Sequence, residues 1–290
     1  MEENQQAPDH EEVSQVLVNL VIPPCPKIVL ALVGEARQEE PDLNKLDKLL
    51  SGDVGLAATI LKTANSPYYG LSRKVEAVKQ ALLILGIRTM TNIVTLLALQ
   101  KALAVPAASL DRFWDRSNYH AIVCARLARY LRNISADGAY TFGLFNDCGI
   151  PILIQRFPDY KDTLRLANSA ERSFVDIEHE RHHTSHALVG AILARSWQLP
   201  EIICKAIRDH HERELLYEET AEAQGDVGAL RAISLIADYL VNAFLNAPQE
   251  TEWELHGVQA MNYLGLSAVE LAEIKLDVSE DLEEARAYRL

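Results

Sequence analysis

The sequence has few cysteines, few aromatic residues and no run of positive charge. Its four cysteines lie far apart and form no C-x-x-C pair, so they indicate neither a zinc knuckle nor a disulfide framework. Lys and Arg together number 28 against 41 Asp and Glu, which gives a formal net charge of -13. Because this charge repels polyanions and the basic residues are scattered, we expect no nucleic-acid partner.

Signals for export and for membrane insertion are also missing. The first residues, MEENQQAPDHEE, are acidic and polar where a signal peptide needs positive charge followed by an apolar run. No apolar run reaches the ~18 residues of a membrane span, and ALLILGI is soon followed by Arg88. We therefore expect a cytoplasmic protein with no membrane partner, and unpaired cysteines agree with a reducing compartment.

Apolar residues at helical spacing recur along the chain, whereas strand patterns are nearly absent, so we predict an all-α fold. Asp53 and Ser185 are the residue types that cap helix starts, and a helix is expected to end near Gly86. The segment AVPAAS, residues 104–109, separates two helical blocks. The predicted divisions are a disordered N-terminus (1–12), an N-terminal helical subdomain (13–105), a second helical domain (108–250) and a helical extension (251–290).

The octet HERHHTSH, residues 179–186, holds four of the nine histidines. His179-Glu180-x-x-His183 has the spacing of a zinc-protease helix, which would need a third ligand from elsewhere. Thr184 and Ser185 instead favour a helix start. We therefore expect His179 and His183 to end one helix and His186 to open the next, and we disfavour the protease interpretation.

Several histidines and aspartates lie on apolar helix faces that should point inward. His186 begins a helix with a wide apolar face, and two isoleucine rows of PEIICKAIRDHHE lead into His210 and His211. Taken singly, each such residue is more often a hydrogen-bonded core residue than a ligand. Taken together, they predict one polar pocket of six candidate ligands: His120, Asp147, His186, His210, His211 and Asp238.

The order of these residues resembles the HD superfamily of metal-dependent phosphohydrolases, named for a His-Asp pair. Asn146 precedes Asp147 here, so the pair is Asn-Asp. The segments IPPCPKIVLAL, LLSGDVGLAATILKTANSPYYGLSRKVEAVKQALLILGI, GLFNDCG and HALVGAILARSWQLPEIICKAIRDHHE more specifically resemble the HDOD family, HD-related output domains of bacterial signalling. This resemblance covers about residues 15–245.

The resemblance implies an N-terminal helical bundle packed on a C-terminal HD-like helical domain. It also implies a regulatory or scaffold protein that contacts signalling proteins in trans, without hydrolase activity. Asn146 offers only an amide oxygen, a poor ligand for metals that imidazole suits, so it marks a degenerate position and we assign no catalytic residue.

The residues fix no cofactor, and the six candidates are either functional or vestigial ligands. A pocket of this kind would hold a divalent transition metal such as Fe, Mn, Zn or Ni. The alternative is a residual metal-dependent phosphohydrolase or phosphodiesterase that acts on a nucleotide or cyclic dinucleotide.

Overall fold

The computed structural model describes residues 20–65, 73–105, 110–130, 134–167, 172–217, 225–248 and 251–287. Helices make up the regular structure of these residues, which confirms the predicted all-α class. The predicted disordered segment 1–12 lies outside the described residues.

The described helices, in chain order, are α1 (Lys27–Ala36), α2 (Leu43–Ser51), α3 (Val54–Ala64), α4 (Val78–Ala102), α5 (Asp111–Ala128), α6 (Ala136–Phe145), α7 (Gly149–Arg156), α8 (Tyr160–Ala167), α9 (Phe174–His182), α10 (His186–Ser196), α11 (Glu201–Arg208), α12 (Asp226–Leu245), α13 (Thr251–Leu264) and α14 (Ala268–Ala287). A short 3₁₀ helix, Arg213–Tyr217, lies between α11 and α12.

Local chemistry explains several helix ends. The Asp53 carboxylate accepts a hydrogen bond from the Leu56 amide at the start of α3, and Ser185 Oγ accepts one from the Leu188 amide at the start of α10. Both caps were predicted. α4 is interrupted at Gly86, whose φ of 78° is a conformation that glycine adopts without strain. A helix end was predicted near this residue.

The chain folds into two compact units, and neither is continuous in sequence. The described residues of the first unit lie within Met1–Pro23, Val105–Ser109 and Phe145–Gly265, and those of the second lie within Pro24–Ala104, Leu110–Leu144 and Leu266–Leu290. These units do not follow the predicted linear division, because α5, which was assigned to the second domain, belongs with the N-terminal helices. In the second unit Arg126 of α5 pairs with Asp277 and Asp281 of α14.

The core of the first unit surrounds α12, most of whose residues are buried. Gly149, at the start of α7, lies directly against the start of α10. A Cβ at this position would lie 2.1 Å from the carbonyl oxygen of His186, so only glycine permits the approach. This contact brings the turn that carries Asp147 beside the first residue of α10.

Among the described helices, α4 and α12 are long and apolar enough to cross a membrane by length and composition. Buried core helices pass the same test, and 78% of the apolar window of α12 is buried within the protein. The side chains of the four described cysteines are thiols: Cys25, Cys124, Cys148 and Cys204.

Candidate metal centre

Three histidine rings meet inside the first unit. His186 opens α10, and His210 and His211 follow the end of α11. The Nε2 atom of His186 lies 3.3 Å from Nε2 of His210 and 3.2 Å from Nε2 of His211. Phe174 covers the group by stacking on the His186 ring, with centroids 4.6 Å apart. The structure thus brings together three of the predicted ligands, two of them fully buried.

The opposite nitrogen of each ring, Nδ1, faces an oxygen atom. Carbonyl and carboxylate oxygens accept hydrogen bonds, so Nδ1 is the atom that donates, and each neutral ring turns an Nε2 lone pair toward the other two. Lone pairs that converge in this way are suited to a cation. The acceptors are Glu178 Oε2 at 2.7 Å from His186, Ile207 O at 2.6 Å from His210, and Glu252 Oε1 at 2.6 Å from His211.

Asp147 adds a carboxylate to the three rings. Its Oδ1 atom lies 3.5 Å from His186 Nε2 and 3.7 Å from His210 Nε2. In a tetrahedron with metal–ligand bonds of ~2.1 Å, neighbouring ligand atoms are about 3.4 Å apart. The three histidine nitrogens lie close enough together to share one divalent transition metal, and Asp147 lies beside two of them as the nearest carboxylate.

Glu178 fixes the orientation of His186 from inside the core. Its carboxylate accepts the Nδ1–H of His186, the backbone amide of His186 at 3.0 Å and the hydroxyl of Tyr160. Glu178 and His186 have no exposed surface. Sequence reasoning missed Glu178, although it lies on the same face of α9 as the buried Val175 and His182, an unusual place for an acid.

Glu252 holds His211 from the other side. Its second oxygen accepts from Arg213 Nε at 2.7 Å, and the Arg213 side chain is almost fully buried. Burial raises the pKa of Glu252, whereas the positive charges of His211 and Arg213 lower it. The charges have the larger effect, so the pKa of this carboxyl lies well below its ordinary value.

The same pairing changes the titration of His211. Burial opposes the charged ring, but the charge and hydrogen bond of Glu252 outweigh burial and raise the pKa of His211 to about 9. Burial, together with the charges of His211 and His186, holds the pKa of His210 well below its ordinary value. In the metal-free protein at neutral pH, His211 Nε2 therefore carries a proton that points toward His186 Nε2. A bound cation would replace that proton.

The other two candidates are not members of the three-histidine group. Asp238 is on α12, with its carboxylate 3.9 Å from Arg213 Nη2. His120 belongs to the second unit, where its Nδ1 lies 3.3 Å from Gly143 O and 3.5 Å from Cys124 Sγ. Asp147 therefore lies beside His186 and His210, and Asp238 lies beside Arg213.

Asn146, the predicted degenerate position, is buried directly before Asp147. Its Oδ1 accepts from Ser234 Oγ at 3.4 Å, and its Nδ2 lies 3.5 Å from Asp147 Oδ1. The amide thus bonds to neighbouring side chains and supplies no nitrogen ligand.

The zinc-protease helix is not formed. α9 ends at His182, and His183 adopts a left-handed conformation with φ of 53°. Glu180 is exposed and pairs with Arg172 at 2.8 Å. The octet straddles two helices, as predicted, and only His186 of its histidines belongs to the three-histidine group.

Comparison with known proteins identifies the family. A family model of the HDOD domain matches residues 22–213. Among curated proteins, the chain is 26% identical over 196 residues to an uncharacterized protein of Treponema pallidum (strain Nichols) and 22% identical over 192 residues to the uncharacterized protein YuxH of Bacillus subtilis (strain 168). Each alignment covers 66% of this chain, but only 37% and 46% of those relatives, so the chain spans less than half of their length.

Three solved structures share the fold. An HDOD domain protein of unknown function from Geobacter sulfurreducens has a TM-score of 0.74 at 22% identity, covering 96% of this chain and 95% of that one. A Marinobacter aquaeolei VT8 protein, whose name proposes a role in signal transduction, scores 0.73 at 20% identity and covers 98% and 66%. A Shewanella amazonensis SB2B protein, whose name proposes a phosphohydrolase, scores 0.72 at 22% identity and covers 96% and 98%.

At these identities the solved structures establish the fold alone. The family match, by contrast, spans about two thirds of the sequence and includes Asn146-Asp147, His186 and the adjacent His210 and His211. The chain belongs to the HDOD domain family.

Proposed function

We propose that this protein is a cytoplasmic signalling module that acts through contacts with other signalling proteins in trans, and that its metal centre is structural. The observation that carries this proposal is the composition of the centre. Structural zinc sites are closed by four protein ligands, whereas catalytic sites keep one position for water. His186, His210 and His211 would supply three ligands, and Asp147, which lies beside His186 and His210, would close the site as the fourth.

The position of these ligands suits a structural role. Asp147 precedes α7, His186 begins α10, and His210 and His211 follow α11. When bound, a metal would hold the ends of three helices together by its coordination bonds. Asn146 adds no nitrogen ligand, which supports the absence of hydrolysis.

A metal-dependent phosphodiesterase is the second candidate. The side chain of Asp147 is 25% exposed, so it is the ligand that water could most readily reach. Exchange of this carboxylate for water would open the centre to a nucleotide or cyclic dinucleotide. The name proposed for the Shewanella protein favours the same activity.

Metal analysis and an activity assay separate the two candidates. Protein purified without chelator is expected to carry about one transition-metal ion per chain, and His186→Ala is expected to reduce that content at least tenfold. With Mn²⁺ added, we expect no turnover of cyclic dinucleotides above the buffer rate. Turnover that Asp147→Ala abolishes would establish the phosphodiesterase instead. Turnover that appears in Asn146→His but not in the wild type would show that hydrolysis is prevented by the lack of a histidine at this position.

The signalling role needs a test of its own. We expect affinity purification from the native cell to recover a defined signalling protein together with metal-loaded chain. Recovery of the same protein by purified, metal-loaded chain in a direct binding assay would support the role. Binding of cyclic dinucleotide with turnover, and no direct binding of the recovered protein, would contradict it.

A further inference from the structure

The carboxylate that holds His211 comes from outside the matched family segment. Glu252 lies in the first turn of α13, Thr251–Leu264, whereas the HDOD match ends at residue 213. His211 and Arg213, the two partners of Glu252, lie at the end of that match. An element beyond the family segment therefore contacts one of the candidate metal ligands directly.

α13 is packed firmly enough to place Glu252. The Trp253 ring stacks on Tyr239 of α12, with centroids 4.0 Å apart and planes at 15°. Gly257 leaves room for that ring, since a Cβ there would lie 2.8 Å from Trp253. Gln259 Nε2 donates to Leu216 O at 3.0 Å. These contacts attach α13 to the same unit as the three histidines.

We infer that Glu252 is a positioning residue of the metal centre, and that metal binding is coupled through it to the docking of α13. The inference rests on the proposed metal centre. One oxygen of Glu252 accepts from His211 Nδ1 and the other accepts from Arg213 Nε, so the carboxylate is fixed at both ends. This fixes the ring with Nε2 toward His186, the orientation that a shared metal requires.

Coupling of this kind is reciprocal. If docked α13 favours the ring orientation that binds metal, then bound metal must favour docked α13 by the same factor. The amides of α13 should therefore exchange hydrogen more slowly in the metal-loaded protein than in the metal-free protein. A carboxylate that only balanced the charge of Arg213 would produce no such dependence on metal.

The test is titration of the full chain with Co²⁺, followed by calorimetry and by the visible absorption of the bound ion. Glu252→Gln keeps the size of the side chain, and Glu252→Ala removes the acceptor. We expect Co²⁺ affinity to fall about 10-fold in the first variant and up to ~100-fold in the second, with an altered absorption spectrum. Glu254→Gln, which changes an exposed acid on the same helix, is the matched control and should bind as the wild type does.

A double-mutant cycle with His211→Ala shows whether Glu252 acts through His211. Without that ring, Glu252→Gln should cause no further loss of Co²⁺ affinity. An equal loss in both backgrounds would overturn the inference. Wild-type Co²⁺ affinity in Glu252→Gln would also overturn the inference. The same holds if α13 exchanges hydrogen equally with and without Co²⁺. Either result would leave the proposed metal centre itself intact. Failure of the wild-type chain to bind Co²⁺, Zn²⁺ or Mn²⁺ would overturn the metal centre and this inference together.

Discussion

Two histidine–carboxylate pairs flank the candidate centre and differ in what surrounds them. The inner pair is His186 with Glu178, and the outer pair is His211 with Glu252. Both carboxylates approach a ring Nδ1 at similar distances, 2.7 and 2.6 Å. The inner carboxylate otherwise bonds to a backbone amide and the Tyr160 hydroxyl, both neutral, whereas the outer one bonds to the Arg213 cation.

The difference separates two ways of orienting a ligand. The inner carboxylate has donors from its own core and is fully buried, so it is part of the folded interior. The outer carboxylate comes from α13, is 16% exposed and depends on two charged partners. The inner pair is therefore part of the folded interior, whereas the state of the outer pair depends on pH and on the packing of α13.

The largest expected effect comes from breaking the inner pair. Glu178→Ala would leave the donors of His186 and the Tyr160 hydroxyl without their acceptor in a buried place. We expect the free energy of unfolding of the metal-free protein to fall by about 3–5 kcal/mol, as measured by urea denaturation.

Glu180→Ala is the control for that substitution. Glu180 lies on the same helix, but its side chain is 64% exposed and pairs with the exposed Arg172. The expected loss is less than ~1 kcal/mol. Equal losses in the two variants would contradict the distinction between a buried carboxylate that the fold needs and an exposed one.

The next effect concerns pH and the outer pair. His211 titrates at about 9 in the folded protein against an ordinary value of 6.5. Its raised pKa stabilises the fold fully below pH 6.5, and that stabilisation is lost as pH rises through about 9. The lowered pKa of Glu252 has the opposite pH dependence. It stabilises the fold above the ordinary pKa of 4.5, and this stabilisation is lost as the solution becomes acidic.

Denaturation of chelator-treated protein at several pH values checks this expectation. Between pH 6.5 and 9 we expect a loss on the order of 2 kcal/mol in the free energy of unfolding. Glu252→Gln removes the charge that raises the pKa of His211 and should flatten that slope. A slope that persists in the variant would assign it to other groups.

The smallest expected effect comes from Phe174, whose ring contacts the histidine of each pair in a different geometry. Phe174 stacks on the inner ring at 24° and meets the outer ring edge-on, with centroids 6.3 Å apart. Phe174→Leu should destabilise the metal-free protein by about 1 kcal/mol. Nitrogen NMR of the histidine rings should show the larger change at His186, and a larger change at His211 would reverse the assignment.

Much of the fold and the candidate ligands of the centre follow from sequence pattern. Asp53 and Ser185 are capping residue types directly before periodic apolar residues, so their helix starts were predictable. His210 and His211 continue two apolar rows of the same helix, so the sequence alone predicts that both side chains point inward. Such local rules act over a few residues, and local signals are what a single sequence carries best.

The carboxylates that orient the rings were missed because they depend on distant pairing. Glu252 lies 41 positions from His211, and an acid in the first turn of a helix is ordinary in any protein. Glu178 had a detectable signal, an acid among buried positions, but nothing in the sequence indicates which ring it bonds. The assignment of His120 to the second unit also depends on packing between distant segments, which periodicity does not encode.

Arg213 has a consequence for any shortened form of this protein. It is the last residue of the family match, and its guanidinium is buried against an acid supplied 39 residues later. Transplanting residues 22–213 into another chain would therefore transfer a cation without its counter-ion. We therefore expect a stable fragment to extend past the end of the family match, at least as far as Glu252.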